Sequence, residues 1–214
     1  MKKSGLLLGC LGLFLVGLVI FAMFGVGTYN NLVKLDEGVK SQWAQVENQY
    51  QRRFDLIPNL VRTVQGAANF EKGTLEAVVE ARSRVGQVGM SAGGPPGTAP
   101  DPTANPQAFQ QFEQAQAGLT SALSRLLVVV ERYPELKANS NFLQLQSELE
   151  GTENRISVER RRYNEVAEQF NATVRRFPAS LIAGILGFKP KEYFKGSAGS
   201  EKPPEVNFDF GTKS

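Results

Sequence analysis

The chain has 214 residues, of which 42% are hydrophobic, enough for one core of ordinary domain size with linkers and termini to spare. It contains no His, which excludes His-based general-base catalysis, Ser-His-Asp triads and His-ligated zinc or di-iron sites; its lone Cys10 can form neither an internal disulfide nor a thiolate metal site by itself. The net charge of +3 comes from interspersed charges of both signs with no basic, aromatic-lined face, so nothing points to nucleic acid.

After Lys2 and Lys3, residues 5–26 form a run of 22 without a charge. As a helix that run rises about 33 Å, close to the hydrocarbon thickness of a bilayer. It predicts an uncleaved N-terminal transmembrane anchor over residues 1–28, with the lipid bilayer as its partner. A cleaved signal peptide is the competing reading, but its apolar region usually spans about 7–15 residues, shorter than 6–24 here. The stretch Leu7-Leu8-Gly9-Cys10 is similar to a lipobox, yet the apolar run continues past Cys10, where a lipoprotein turns polar. Gly5, Gly9 and Gly12 fall on one side of the helix, and the small-xxx-small spacing of the first two marks a candidate seam for a homo-oligomer. The ordinary frequency of Gly in membrane helices accounts for the same pattern without one. Basic residues near the run favour its N-terminal side, which places the N-terminus in the cytoplasm and the rest of the chain outside it.

From Asn30 the residues Leu32, Leu35, Val39, Trp43, Val46, Tyr50 and Phe54 follow a 3-4-4 spacing that repeats every eleven residues, the pattern of a nearly straight helix. Pro58 predicts its end within residues 55–59. A second helix is predicted from about 57 to 87, on Ile57, Leu60, Val61, Val64, Ala68, Leu75, Val78, Val79 and Val85, with Gly66 and Gly73 weakening it. Residues 87–106 turn to Gly, Pro, Ser, Ala and Thr and predict a flexible linker; there is no Gly-x-x-x-x-Gly-Lys pattern and no preceding strand to make it a nucleotide loop. A third helix is predicted from about 107 to 132, on Phe109, Phe112, Leu119, Leu123, Leu126, Leu127 and Val130, and residues 133–137 break it.

The last long helix is the most regular. Phe142, Leu149, Ile156, Tyr163, Phe170 and Phe177 recur at seven-residue intervals, with Ser140 or Asn141 as the expected cap and Pro178 as the stop. Such a heptad seam drifts about 20° per heptad on a straight helix, which sits uneasily with the eleven-residue stripe of the first helix. The seam is therefore expected to rotate, with Val174 assisting near its end and Glu159 close to where facing stripes trade partners.

Together these elements predict an all-α protein: one N-terminal transmembrane helix followed by an antiparallel four-helix bundle over residues 29–177. The turns at 55–59 and 133–139 form its distal tip, and the Gly/Pro linker lies near the membrane. Residues 178–195, apolar, aromatic and basic in turn, lie either at the membrane surface or folded onto the bundle's end. Residues 196–214 read as a disordered tail.

Candidate chemistry is sparse. Glu159 is the one charge at a seam position of the last helix, and a carboxylate there must be paired, solvated or protonated. With Gln42, Trp43 and Lys72 expected at the same height, next to Glu71, it forms a candidate buried polar site, read either as a small-ligand or cation site or as a register-fixing contact. Arg155 and Arg162 flank it on its own helix. A second candidate is a partner-binding tip of Arg52, Arg53, Asp55, Asn59, Arg132, Glu135 and Lys137, against ordinary turn chemistry and local ion pairs. No catalytic, cofactor-binding or metal-ligating set is expected.

The runs 29–33, 53–61 (Arg-Phe-Asp-Leu-Ile-Pro-Asn-Leu-Val), 75–82 (Leu-Glu-Ala-Val-Val-Glu-Ala-Arg), 133–139, 152–156 and Phe177-Pro178 resemble the bacterial LemA family, in order and over about residues 28–195. The resemblance implies a membrane-anchored four-helix bundle and supplies no established activity; the location expected is the bacterial inner membrane. The chain departs from the family's usual pattern at Phe70-Glu71, where members often carry His-Glu, so chemistry needing that imidazole would be absent. The function expected is a non-enzymatic interaction or scaffold role among envelope proteins; the alternative is an extracytoplasmic ligand-sensing bundle that signals through a partner membrane protein.

Overall fold

Apolar stripes that no single helix can bury govern the packing. The computed structural model describes residues 2–66, 70–91, 94–97 and 106–195, apart from the side chains of residues 2–11, 13–14 and 18–22. Its elements are α1 (Lys2–Gln65), α2 (Lys72–Ser91), α3 (Pro106–Val130), the one-turn α4 (Pro134–Lys137), α5 (Ser140–Arg175) and α6 (Ala179–Leu186). The described residues contain no strand, and the fold is all-α. α1 lies along α5, α2 lies along α3, and a single apolar cluster joins the four.

The largest difference from the sequence expectation is at Pro58, where α1 does not stop but continues to Gln65. Proline has no N–H to donate to the carbonyl four residues earlier, so the Phe54 oxygen loses its helical partner. The side chain of Arg82 replaces it, with Nε donating to that oxygen at 3.2 Å. The same guanidinium lies 3.8 Å from the centroid of the Phe54 ring. Beyond the proline, Ile57, Leu60, Val61 and Val64 are all buried, so continuing the helix continues its stripe. The chain therefore leaves α1 only at Gly66, and α2 starts at Lys72, about fifteen residues later than the spacing suggested.

The longer α1 also removes the mismatch between stripes. Val39, Trp43, Val46, Tyr50, Arg53, Ile57, Leu60 and Val64 are all buried and alternate in steps of four and three. That is a heptad seam matching the one on α5, with Phe54 as a second line facing α2. On α5, Asn139 supplies the cap, its side-chain oxygen accepting from the backbone N–H of Asn141 at 2.9 Å and of Phe142 at 3.2 Å. Ser140 and Asn141 are already helical. Phe177 lies outside the seam and is 76% exposed, because α5 ends at Arg175 and Val174 closes the apolar face instead.

Residues 87–91 of the expected linker are still helical, and its described residues 94–97 are neither loose nor at the end of the core where the run 5–26 enters. Gly94 N–H donates to the Gly89 carbonyl at 3.1 Å, and Gly97 is buried against Phe54, midway along the packed part of α1. Gly97 has φ +91°, and a Cβ there would fall 2.5 Å from the Phe54 ring, so no other residue fits. Residues 92–93 and 98–105 of the expected linker, and the expected tail 196–214, lie outside the described residues.

Because α2 and α3 reach only part of the way down, the lower part of α1 and α5 needs another cover. α6 and residues 187–195 supply it by packing against α1 and α5. Asn171 and Asn164, seven apart on α5, each bind this extended strap with both atoms of the amide. Asn171 donates to the Lys191 carbonyl at 2.9 Å and accepts from its N–H at 2.7 Å; Asn164 does the same for Phe194, both at 2.9 Å. Phe194 is buried among Trp43, Phe109 and Tyr163 at ring separations of 5.7, 5.1 and 5.4 Å.

Among the described residues no helix is long and apolar enough to cross a membrane. Most side chains of the run 5–26, on which the expected anchor rests, lie outside the described residues.

Candidate functional site

Arg53 and Phe54 are neighbours on α1 and point about 100° apart, so one helix serves two environments. Phe54 packs toward α2, against Gly86 and Arg82. Arg53 points between α3 and α5 and is only 3% exposed. Burying a guanidinium requires partners, and three elements provide them: Gln116 of α3 and Glu153 of α5 accept from its two terminal nitrogens, and Thr120 Oγ1 lies 3.4 Å from one of them. Its Nε–H meets no acceptor. Glu153 is half-exposed, so the charge that neutralises Arg53 sits at the rim.

A groove runs on either side of this guanidinium. Above it, a cavity of about 130 Å³ is walled by Leu60, Leu123, Leu127 and Leu149, with Glu150 at the edge. Below it, a cavity of about 480 Å³ is lined by Tyr50, Glu113, Arg160 and Lys195 among others. Burial pushes the Glu113 carboxyl up, while Arg160, 3.2 Å away, and Lys195 hold it back. Burial likewise pushes the Tyr50 hydroxyl up. Arg160 also donates to the Lys195 carbonyl at 2.9 Å and lies 4.5 Å from the Phe194 ring centroid, which ties the groove to the strap. The arrangement can hold an anionic group with an apolar body, or fix the register of three helices.

A second charge pair with a buried cation is in the lower part. Lys191 Nζ lies 2.6 Å from Asp36, which Lys40 also approaches at 2.9 Å. Burial pushes the Asp36 carboxyl up, but the hydrogen bonds from Lys191 and Lys40 outweigh it and hold the group below its ordinary value.

Of the residues singled out from sequence, Glu159 and Gln42 do meet: Gln42 donates to the carboxylate at 2.6 Å, and Arg162 does so at 2.8 Å. The carboxylate is 15% exposed, at the rim of the core. Trp43 turns away from it into the Phe194 cluster. Lys72 is not part of this group; it stands 88% exposed at the start of α2, 3.5 Å from Glu76, because the first turn lies beyond Gly66. Glu71 is at that turn too, 3.0 Å from Arg132.

The expected tip set divides. Arg132, Glu135 and Lys137 are at the distal turn, where Phe70 also meets Tyr133 at 5.0 Å and Lys137 pairs with Glu131 at 2.6 Å. Arg52, Arg53, Asp55 and Asn59 are instead within α1, Asp55 accepting from Gln51 at 2.9 Å and Asn59 from Arg62 at 2.6 Å. The side chains at Gly5 and Gly9 lie outside the described residues, and a Cβ at Gly12 would meet nothing within 4 Å. Arg53 as a core residue was missed, although a signal exists: once the helix is carried past Pro58, Arg53 occupies a heptad position between Tyr50 and Ile57. The strap left no periodic signal.

The family model described as "LemA family" matches residues 42–208. The chain belongs to the LemA family. It is 28% identical to "Magnetosome protein MamQ 2" of Paramagnetospirillum magneticum over 185 residues, 82% of this chain and 67% of that protein. It is 27% identical to "Magnetosome protein MamQ" of Magnetospirillum gryphiswaldense, over 90% of this chain and 74% of that one. With "Protein LemA" of Metamycoplasma hominis it shares 23% identity over 86% and 76% of the two chains. In this LemA-family chain the matched region begins at Gln42 and takes in the Arg53 groove, the Arg82 contact and the Phe194 strap.

Proposed function

We propose that this LemA-family chain is a membrane-anchored, non-enzymatic interaction or scaffold protein of the bacterial cell envelope. In this reading residues 5–26 span the inner membrane once, with the N-terminus cytoplasmic. An antiparallel four-helix bundle of α1, α2, α3 and α5 stands outside the cytoplasm. The observation that carries the reading is the unbroken run of α1 from Lys2 to Gln65. The charge-free stretch and the floor of the helical core belong to one rod of about 96 Å, so whatever holds its lower end fixes the position of the groove and the distal turn. A binding role is also favoured by the absence of His and by a groove whose charged groups are engaged with one another. Kinship with proteins described as magnetosome proteins supports a part in a larger assembly.

The test places a photo-crosslinking residue at Glu135 on the distal turn or Glu150 on the groove rim, in native membranes. A discrete adduct with another envelope protein is expected from one of these positions and none from a control at Val128. Absence of any adduct, with the full-length protein present, overturns the interaction role. For topology, Ser91→Cys in a Cys10→Ser background is expected to react with an impermeant thiol reagent in spheroplasts; labelling only after lysis reverses the orientation.

A second reading, a ligand-sensing bundle, is favoured by the groove itself. An anionic group would accept from Arg53 in place of Glu153 and lay its apolar body along Leu60, Leu123 and Leu127. Thermal stabilisation by a carboxylate from a metabolite panel, abolished by Arg53→Met, is the expected sign. No shift across the panel removes this reading.

A further inference from the structure

The end of the molecule opposite the Phe70–Tyr133 turn carries an apolar surface that the core does not use. α6 rests Ala179 and Ala183 against α1 and α5, and turns Leu181, Ile185 and Leu186 outward. Ile185 is 83% exposed, and Phe177, just before the helix, is 76% exposed. Four large side chains facing outward within ten residues of chain are more than scattered surface apolarity accounts for.

Depth, charge and rigidity together indicate what covers this face. Met23, Phe24 and Gly27 of α1 line the same cleft as Phe177, Pro178 and Ala179, so α6 begins level with the last turn of the charge-free run. Tyr29 and Phe188 lie 6.4 Å apart, which puts the far end of α6 about one turn above that run. Arg175, Arg176 and Lys189 bracket α6, are exposed, and have no ion-pair partner among the described residues. The strap clamps the helix from behind, through Phe188 against Phe170 at 6.3 Å and Lys191 on Asp36. The apolar face is thus held at one height, with basic residues at both ends.

We propose that α6 is a lipid-facing interfacial helix. Phe177, Leu181 and Ile185 enter the boundary between acyl chains and headgroups of the leaflet beneath the helical core, and Arg175, Arg176 and Lys189 contact anionic phosphate headgroups. The inference rests on the transmembrane reading of residues 5–26 and extends it: the protein meets the bilayer at two separate points of its chain, one crossing it and one lying on it.

The test uses the full-length protein in vesicles of phosphatidylethanolamine and phosphatidylglycerol, with Cys10→Ser as background and an environment-sensitive fluorophore attached at Leu15→Cys, Ile185→Cys or Leu143→Cys. The Ile185 probe is expected to emit blue-shifted light and to be quenched by lipids carrying a nitroxide near the headgroup. The Leu15 probe responds to a nitroxide deep in the acyl chain, and the Leu143 probe to neither. An Ile185 probe as wet as the Leu143 probe, with the Leu15 probe quenched, overturns the interfacial helix and leaves the anchor standing. An unquenched Leu15 probe overturns the anchor and, with it, this proposal. An Ile185 probe shielded from aqueous quencher yet unreached by lipid nitroxide assigns the face to a second copy of the chain and also overturns it. Combined Arg175→Gln, Arg176→Gln and Lys189→Gln is expected to weaken the Ile185 quenching and to leave the Leu15 quenching unchanged; unaltered Ile185 quenching overturns the headgroup contact.

Discussion

The upper and lower parts of the helical core solve the same problem with different materials. Above Tyr50, the stripe of α1 is covered by helices, and the polar cost of crossing elements is met by two arginines: the buried Arg53 between α3 and α5, and the half-buried Arg82 on the Phe54 carbonyl. Below Trp43, α2 and α3 are absent, and α1 and α5 are covered by α6 and an extended strap held by asparagine amides, the Phe188 and Phe194 rings and one ion pair. Regular partners bury a stripe by repetition, so each contact is one of many. An irregular strap depends on a few anchors, so each of them carries more.

That contrast is open to test, beginning with the largest expected effect. Phe194→Ala removes a ring packed on three others and should destabilise the protein by about 4 kcal/mol, read by denaturant unfolding. Amide exchange should accelerate first in residues 164–175 of α5 and leave α3 slow; equal acceleration in both would mean that the two parts do not differ.

Asp36→Asn comes next, at about 3 kcal/mol at neutral pH, because it leaves Lys191 buried without its counter-charge. The Asp36 carboxyl is held below its ordinary value of 3.8 in the folded state, so its contribution is complete above that value and is lost as pH falls through the depressed folded value. The stability gap between the parent and Asp36→Asn should therefore stay constant from neutral pH down to about 4 and close below it. A gap that closes at higher pH would remove Lys191 as the cause.

In the upper part, Arg82→Ala strips the Phe54 carbonyl of its donor and the ring of its cation, at about 2 kcal/mol. Replacing Pro58 by Ala in the same chain should recover part of that loss, since the alanine N–H restores the helical hydrogen bond; no recovery would separate Arg82 from the proline. The smallest effect belongs to Glu159→Gln, under about 1 kcal/mol in thermal unfolding, because the carboxylate is at the rim and Gln can still accept from Gln42.

What could be read in the sequence follows the same division. α3 and α5 were legible because their apolar residues keep a helical period, and the seam from Phe142 to Phe170 needed only local information. Pro58 was misleading because the group that lets the helix pass is on α2, 28 residues from the Phe54 carbonyl it serves, and no local rule contains it. Phe177 kept the heptad spacing but not the helix, which had already ended at Arg175. Gln42 and Glu159 were paired correctly because both are in the well-read helices, whereas Lys72 was misplaced with the turn. The strap has no period at all; its residues read equally as a membrane-surface segment or as one folded onto the bundle's end, and the Asn164 and Asn171 amides that hold it sit on α5 without any apolar signal of their own.

The unbroken α1 also makes the molecule a lever. With no hinge between the charge-free run and Gln65, a change in the run's inclination is delivered whole to the far end. About 37 residues separate Tyr29 from Gln65, close to 56 Å of helix, and a tilt of about 20°, ordinary for a single helix in a bilayer, would sweep the Phe70–Tyr133 turn sideways by about 19 Å. In the proposed membrane-spanning reading, local membrane thickness, which bears on such tilts, would then decide how far from its foot the protein reaches.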